Sequence, residues 1–204
     1  CTFGKRRMMA KAVSTNYHPP SFLPDLPTMH LTASHGKLIL LDWQDIKTQK
    51  LLNQANQHAV FIKPSQLDIN QPDQAILLQT TEQLNEYFDG TRRNFSIPLD
   101  FSYGTQFQQQ VWAALLTIDY GQTISYAKLA TLIDKPKAFR ACANANGKNP
   151  LSLIVPCHRV VASDGGLGGY TGGVAIKKAL LDFEMACHLS KNKTPTDFDY
   201  LCYN

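Results

Sequence analysis

Ile154-Val155-Pro156-Cys157-His158-Arg159-Val160-Val161 sets a single cysteine between a proline and a histidine. The apolar run is too short for a buried helix, and Ser163-Asp164-Gly165-Gly166 bounds it downstream, so the stretch reads as an extended segment entering a glycine-rich turn. Pro156 fixes its own φ, removes one backbone donor and biases Val155 toward extended geometry. Cys157 is therefore expected on a stiff, partly unpaired strand. Neighbouring side chains on a strand point to opposite faces, so Cys157 and His158 are expected to share no direct hydrogen bond. A thiol presented in this way is a candidate nucleophile; a small buried hydrophobe is the alternative that the octapeptide leaves open.

Upstream of this stretch the chain reads as helical. Thr105 is placed to cap a helix in which Phe107, Val111, Trp112 and Leu115 recur at helical spacing, with Gly121 at its end. Ser125 caps a second helix over residues 126–133, with Leu129, Leu132 and Ile133 buried. Asp134-Lys135-Pro136 then breaks the chain, and Pro136 suits the first position of a helix running to residue 146. Two short helices joined by a tight turn are a helix-turn-helix signature, whose second helix docks on DNA. On that helix Ala138, Ala141, Cys142 and Ala145 form a face of small side chains, which permits close approach of a neighbouring helix or of nucleic acid. Lys128, Lys135, Lys137, Arg140, Lys148 and Arg159 stand against the single acid Asp134, an excess that suits either phosphate contact or a solvated face. Downstream, Ile176, Leu180, Phe183 and Cys187 mark the buried side of a last helix, with Glu184 beside it.

The N-terminal half has a different pattern. Residues 1–27 carry prolines and no sustained period, and read as an irregular arm. Residues 29–33 and 37–43 around Ser34-His35-Gly36 read as a β-hairpin, residues 48–58 as a helix using Leu51, Leu52 and Ala55, and Val60-Phe61-Ile62 as a short strand. A stronger helix spans 75–89, with Ile76, Thr80, Leu84, Tyr87 and Phe88 near one face and Gly90 as its cap. The expected organisation is an irregular arm over 1–27, an α/β domain over 28–97, a mainly α domain over 98–189 and a tail over 190–204. No function is legible in the first half.

Composition narrows the class. The 204 residues suffice for two small domains or one large one, and no apolar run is long enough to cross a bilayer. Lys5-Arg6-Arg7 is followed by too many polar residues for an export signal. Five cysteines without a CxxC pair argue against a secreted disulfide scaffold, so a reducing compartment is expected, the cytoplasm or a eukaryotic nucleus. Cys1, His18, His30, His35 and His58 have no recognisable ligand spacing, so no metal is expected. Gly165-Gly166-Leu167-Gly168-Gly169 is a loop signal rather than a phosphate cradle, and no cofactor is expected.

Pro156-Cys157-His158-Arg159-Val160 resembles the active-site signature of the O6-alkylguanine-DNA alkyltransferases, also called methylated-DNA-protein-cysteine methyltransferases. The resemblance runs from about Gly104 to Glu184, through Gly104-Thr105-Gln106-Phe107, Val111-Trp112, Ile124-Ser125-Tyr126, Arg140-Ala141, Asn149-Pro150 and Tyr170-Thr171-Gly172-Gly173. It implies a small N-terminal domain of ribonuclease H-like outline and a C-terminal, winged-helix-like domain with the helix-turn-helix. It further implies one irreversible alkyl transfer from O6-alkylguanine in double-stranded DNA to Cys157, after the base is turned out of the stack, by a monomer without cofactor or metal.

By the same resemblance, a water links Cys157 to His158 and Glu184 orients the imidazole; Tyr126 assists base rotation and donates to ring nitrogen N3. Arg140 enters the stack as an arginine finger, on a helix whose Lys137 and Ala141 face DNA, and Asn149, grouped with these DNA-binding residues and Tyr126, braces the turn behind it. Val160 offers its carbonyl to the base, Tyr170 covers the base, and the backbone of Thr171 and Gly172 faces O6. Cys142-Ala143-Asn144 departs from the Val-Gly common among relatives, which puts groove contacts by Asn144 and Asn146 in doubt. The rival readings are a non-catalytic binder of alkylated DNA, a thiol hydrolase using the same Cys and His, and a plain helix-turn-helix regulator.

Overall fold

A computed structural model of the chain describes residues 12–44 and 59–189. The helix expected over 48–58 and the 190–204 tail lie outside the described residues. Strands β1 (Val13–Tyr17), β2 (Met29–Ser34), β3 (Lys37–Trp43) and β4 (Val60–Phe61) form one sheet in the order β3-β2-β1-β4. The β1–β2 and β2–β3 pairs are antiparallel and β1–β4 is parallel. The β2–β3 hairpin is the one expected, and its two loop residues, His35 at φ 53° and Gly36 at φ 70°, take the left-handed geometry that matches strand twist.

β1 falls within 1–27, where an irregular arm is expected, and this is a correction. Val-Ser-Thr-Asn-Tyr has no apolar alternation; its extended form comes from being paired on both sides, a tertiary effect that local pattern does not carry. Helix α1 (Pro72–Phe88) begins at Pro72 and not at residue 75, using the proline as a first helical residue. It lays Ile76, Leu77, Leu84, Tyr87 and Phe88 on the sheet.

In the second half, α2 (Gln106–Leu115) opens with a full capping box between Thr105 and Gln108. It closes at Leu115, and Gly121, at φ 74°, serves a later turn, so the expected end is corrected. Ser125 ends β5 (Ile124–Ser125), and its hydroxyl accepts from Lys128 N to start α3 (Tyr126–Leu132). Asp134, at φ 58°, makes the break. The helix expected from residue 137 is divided: Pro136–Ala138 winds as a 3-10 turn before α4 (Phe139–Asn146). β6 (Val160–Val161) pairs parallel with β5, and α5 (Val174–Leu189) completes the described chain. Among the described residues no helix is long and apolar enough to cross a membrane.

The edge strand β3 joins the halves. Leu38 N donates to Pro98 O at 2.8 Å and Leu41 N to Pro150 O at 2.9 Å, while Ser152 N donates to Leu41 O at 2.7 Å. The segment just before the cysteine is thus stitched to the sheet, which also covers an edge that would otherwise present unpaired backbone groups. One apolar core runs through both halves, including Leu31, Leu41, Trp43, Trp112, Leu151 and Leu180.

Candidate active site

Leu153 turns the chain at φ 73°, and Cys157–Arg159 then form one 3-10 turn, where the octapeptide reads as extended. Arg159 N donates to Pro156 O at 3.0 Å, and extended geometry resumes at Val160. The fixed φ of proline suits the head of a turn as well as a strand, and the sequence does not separate the two. Cys157 is 4% exposed and its thiol is free. Asn149 Nδ2 donates to Cys157 Sγ at 3.1 Å and to Val155 O at 2.8 Å, while Asn149 Oδ1 accepts from Leu151 N. Burial pushes the Cys157 thiol up to about 11, against the pull of the Asn149 amide, the Tyr170 hydroxyl and the Lys177 charge.

His158 and Glu184 are both fully buried, and His158 Nε2 lies 2.9 Å from Glu184 Oε1. Glu184 also accepts from Tyr87 Oη at 2.7 Å, from Gly121 N at 3.1 Å, and from Arg159 Nε and Nη2, each at 2.9 Å. Burial raises the Glu184 carboxyl, but the charges and hydrogen bonds of His158 and Arg159 outweigh it and hold it well below the usual carboxylate range. An ionised carboxylate can only accept, so Nε2 carries the imidazole hydrogen. Burial lowers the His158 pKa against the pull of Glu184. The ring is therefore neutral at neutral pH, and its buried Nδ1, without a partner among the described residues, presents a lone pair.

Loop 162–173 lies over this turn. Tyr126, half-buried at the head of α3, donates to Gly169 O at 3.4 Å, and its pKa is raised by burial and then by the nearby Cys157. Lys177 is fully buried; its Nζ donates to Val160 O at 2.6 Å and to Leu167 O, tying β6 to the loop. Thr171 Oγ1 donates to Gly147 O at 2.5 Å at the end of α4. Trp43 Nε1 donates to Tyr170 Oη at 3.2 Å, and a Cβ on Gly172 would stand 2.7 Å from Trp43 Cδ1, so glycine alone fits there.

Of the residues singled out in the sequence, Cys157, His158, Glu184, Asn149, Val160, Tyr170 and Tyr126 converge on this turn. Lys137, Arg140 and Ala141 are exposed on the neighbouring helical face, where the Arg140 guanidinium lies 5.6 Å from the ring centre of Phe139. Two assignments need correction. Asn149, grouped with the DNA-contacting residues, is buried and spends its amide on the sulfur and its own segment. The doubt over Asn146 as a groove contact agrees with its burial, where it donates to Cys157 O at 3.2 Å. Arg159, counted in the basic surface, is 4% exposed and locked to Glu184, with Nη1 on Ile118 O at 2.7 Å; Lys128, Lys135, Lys137, Arg140 and Lys148 do lie at the surface. Tyr87, Trp43, Asp42, Ser152 and Lys177 were not singled out as site residues in the sequence.

Two family models match the chain, the 6-O-methylguanine DNA methyltransferase ribonuclease-like domain over residues 27–101 and its DNA binding domain over residues 106–186. The constitutive methylated-DNA--protein-cysteine methyltransferase of Bacillus subtilis is 40% identical over 157 residues, 76% of this chain and 93% of that protein. The Mycobacterium tuberculosis protein of the same name is 48% identical over 126 residues, 62% of this chain and 72% of its own length. The crystal structure of M. tuberculosis OGT in complex with DNA superposes with a TM-score of 0.68 at 35% identity, covering 85% of this chain and 93% of that one. On these matches the chain belongs to the 6-O-methylguanine DNA methyltransferase family.

Proposed function

We propose that this protein repairs DNA by direct reversal, moving the alkyl group of an O6-alkylguanine from the base to Cys157 Sγ, once per molecule. The observation that carries the reading is a buried thiol held by Asn149 beside a neutral His158 whose Nε2 is fixed on Glu184. The proton of the thiol passes through a bridging water to His158 Nδ1. The thiolate then attacks the alkyl carbon: a carbon–sulfur bond forms, the carbon–O6 bond breaks, and the electron pair goes to O6. Guanine leaves with one proton taken from Tyr126 at N3, and the proton held on His158 returns through solvent to the tyrosinate, so the phenol and the imidazole end neutral and the step balances. Nothing in the site can cleave the resulting thioether, and the chemistry as written calls for no metal or cofactor.

A base stacked in a duplex cannot reach a sulfur that is 4% exposed, so the nucleotide must turn out of the stack. In this reading α3 and α4 act as a helix-turn-helix in a winged-helix-like domain, beside an N-terminal sheet and helix of ribonuclease H-like outline. Arg140 fills the hole in the stack, the small Ala141 lets α4 lie close in the groove, and Lys128, Lys135, Lys137 and Lys148 meet phosphates. Val160 O, Tyr170 and the Thr171-Gly172 backbone receive the base. The protein works as a monomer on double-stranded DNA in a reducing compartment, the cytoplasm or a eukaryotic nucleus.

The test is to count guanines restored when duplex carrying O6-methylguanine is in excess. One per chain, followed by arrest, is expected; continued turnover contradicts a single irreversible transfer, and turnover on a small ester without methyl transfer points to a thiol hydrolase instead. In the same assay Arg140→Ala is expected to slow repair of duplex far more than reaction with free O6-benzylguanine, and equal losses remove the finger role.

A further inference from the structure

Asp42 and Trp43 end β3, at the sheet edge to which the segment before the nucleophile is stitched. Asp42 is 1% exposed, and its Oδ1 accepts from Ser152 Oγ at 2.8 Å and from Trp43 N at 2.9 Å. Trp43 is fully buried, with its indole N–H on Tyr170 Oη at 3.2 Å. An indole nitrogen only donates and a carboxylate oxygen only accepts, so two hydrogen-bond directions are fixed. Ser152 gives its hydrogen to Asp42, and Tyr170 receives one from Trp43. The phenolic hydrogen of Tyr170 is left to be given, with Ser152 Oγ and the Cys157 sulfur as the neighbours that can take it. Once the sulfur is an anion, the bond to it is charge-assisted and is the stronger of the two.

We propose that Trp43 is a positioning residue for alkyl transfer: by occupying one side of the Tyr170 oxygen, it turns the phenolic hydrogen onto the Cys157 sulfur. With Asn149 Nδ2, 3.1 Å from the sulfur, Tyr170 then forms a two-donor cradle for the thiolate. The N-terminal half thereby sets the reactivity of the nucleophile as well as covering its back. Gly172 belongs to the same device, since a Cβ there would stand 2.7 Å from Trp43 Cδ1 and 3.1 Å from Tyr170 Cε1 and push the two rings apart.

This inference rests on the alkyl-transfer reading, and absence of transfer by the unaltered protein would defeat that reading rather than the role of Trp43. Single-turnover reaction with free O6-benzylguanine over a range of concentrations separates the limiting rate from the half-saturating concentration. Trp43→Phe keeps an apolar ring against Gly172 and removes the N–H. The limiting rate is expected to fall about tenfold, the worth of one hydrogen bond to a charged group, with the half-saturating concentration unchanged. Tyr170→Phe is expected to lose at least as much, and Trp43→Phe to add nothing in that background, because it acts through the missing hydroxyl. An unchanged limiting rate, or equal losses from Trp43→Phe in both backgrounds, overturns the proposal. Should Trp43→Phe fail to fold, Tyr170→Phe decides: a lower limiting rate at unchanged half-saturation upholds the cradle, and a full limiting rate ends it.

Discussion

Cys157, His158 and Arg159 come from a single turn of the C-terminal half, whereas Tyr87, Asp42 and Trp43 reach the same place from α1 and β3. Their partners Glu184, Ser152 and Tyr170 lie 97, 110 and 127 residues further along the chain. In the C-terminal half the proposed nucleophile and its histidine are neighbours in sequence, and the backbone has only to turn once to present them. In the N-terminal half Tyr87 and Trp43 are core side chains, apolar over most of their surface and ending in one polar atom, and Asp42 is a buried carboxylate. The contrast separates two jobs. In the proposed reaction one half carries the reacting atoms, and the other adds hydrogen bonds to the groups that hold them, across a shared core that leaves little freedom for either to shift alone.

The comparison is broken most severely at Glu184, where both halves meet. Glu184→Gln leaves Arg159 buried without its counter-charge, and a loss of about 3–5 kcal/mol is expected in denaturant unfolding. The pH dependence of stability carries the same information. His158 has a folded pKa below the ordinary 6.5, so its contribution is present above that value and is lost as pH falls and the unfolded chain gains the proton. Glu184 is held below the ordinary 4.5, so its contribution is present above 4.5 and is lost as pH falls toward the folded value. Stability is therefore expected to drop in two stages on acidification, and Glu184→Gln to lack the second. A variant with the full acid-side drop would show that the carboxylate does not anchor the site.

Kinetics sharpen the contrast at the next level. Between the lowered value of His158 and about 11 for Cys157, the pair holds a constant number of protons, so internal transfer from sulfur to Nδ1 makes the transfer rate flat in pH. In His158→Phe the sulfur must lose its proton to solvent, and the rate is expected to be low at neutral pH and to climb about tenfold per pH unit. A sloping profile for the unaltered protein would contradict internal transfer. The smallest effect belongs to the distant contributor. Tyr87→Phe removes one donor to Glu184 and keeps the ring, at an expected cost of about 1–2 kcal/mol in unfolding with transfer retained.

The same division explains what the sequence made legible. The helices around the candidate DNA-facing surface follow from Thr105, Ser125 and Pro136, which act within a few residues of themselves. The family resemblance carried by the motif around Cys157 pointed to His158 and Glu184, although an extended reading of the octapeptide missed the 3-10 turn because proline suits both. β1 stayed hidden because its polar pattern becomes a strand only between two partners. Trp43 and Tyr87 read as core, which they are; that each also ends in a hydrogen bond to the site depends on a fold-level meeting of β3 and α1 with the second half. Arg159 showed the reverse error, a charge next to the cysteine assigned to the surface because nothing local reveals that Glu184 and Ile118 O enclose it.

The destination of the alkyl group tests the whole account most directly. Duplex DNA carrying O6-methylguanine with a labelled methyl is mixed with the protein, which is then digested and its peptides separated. The label is expected on the peptide containing Cys157, at one methyl per chain and with guanine restored in the DNA. Label on another cysteine, or DNA that binds and keeps its methyl, would contradict it.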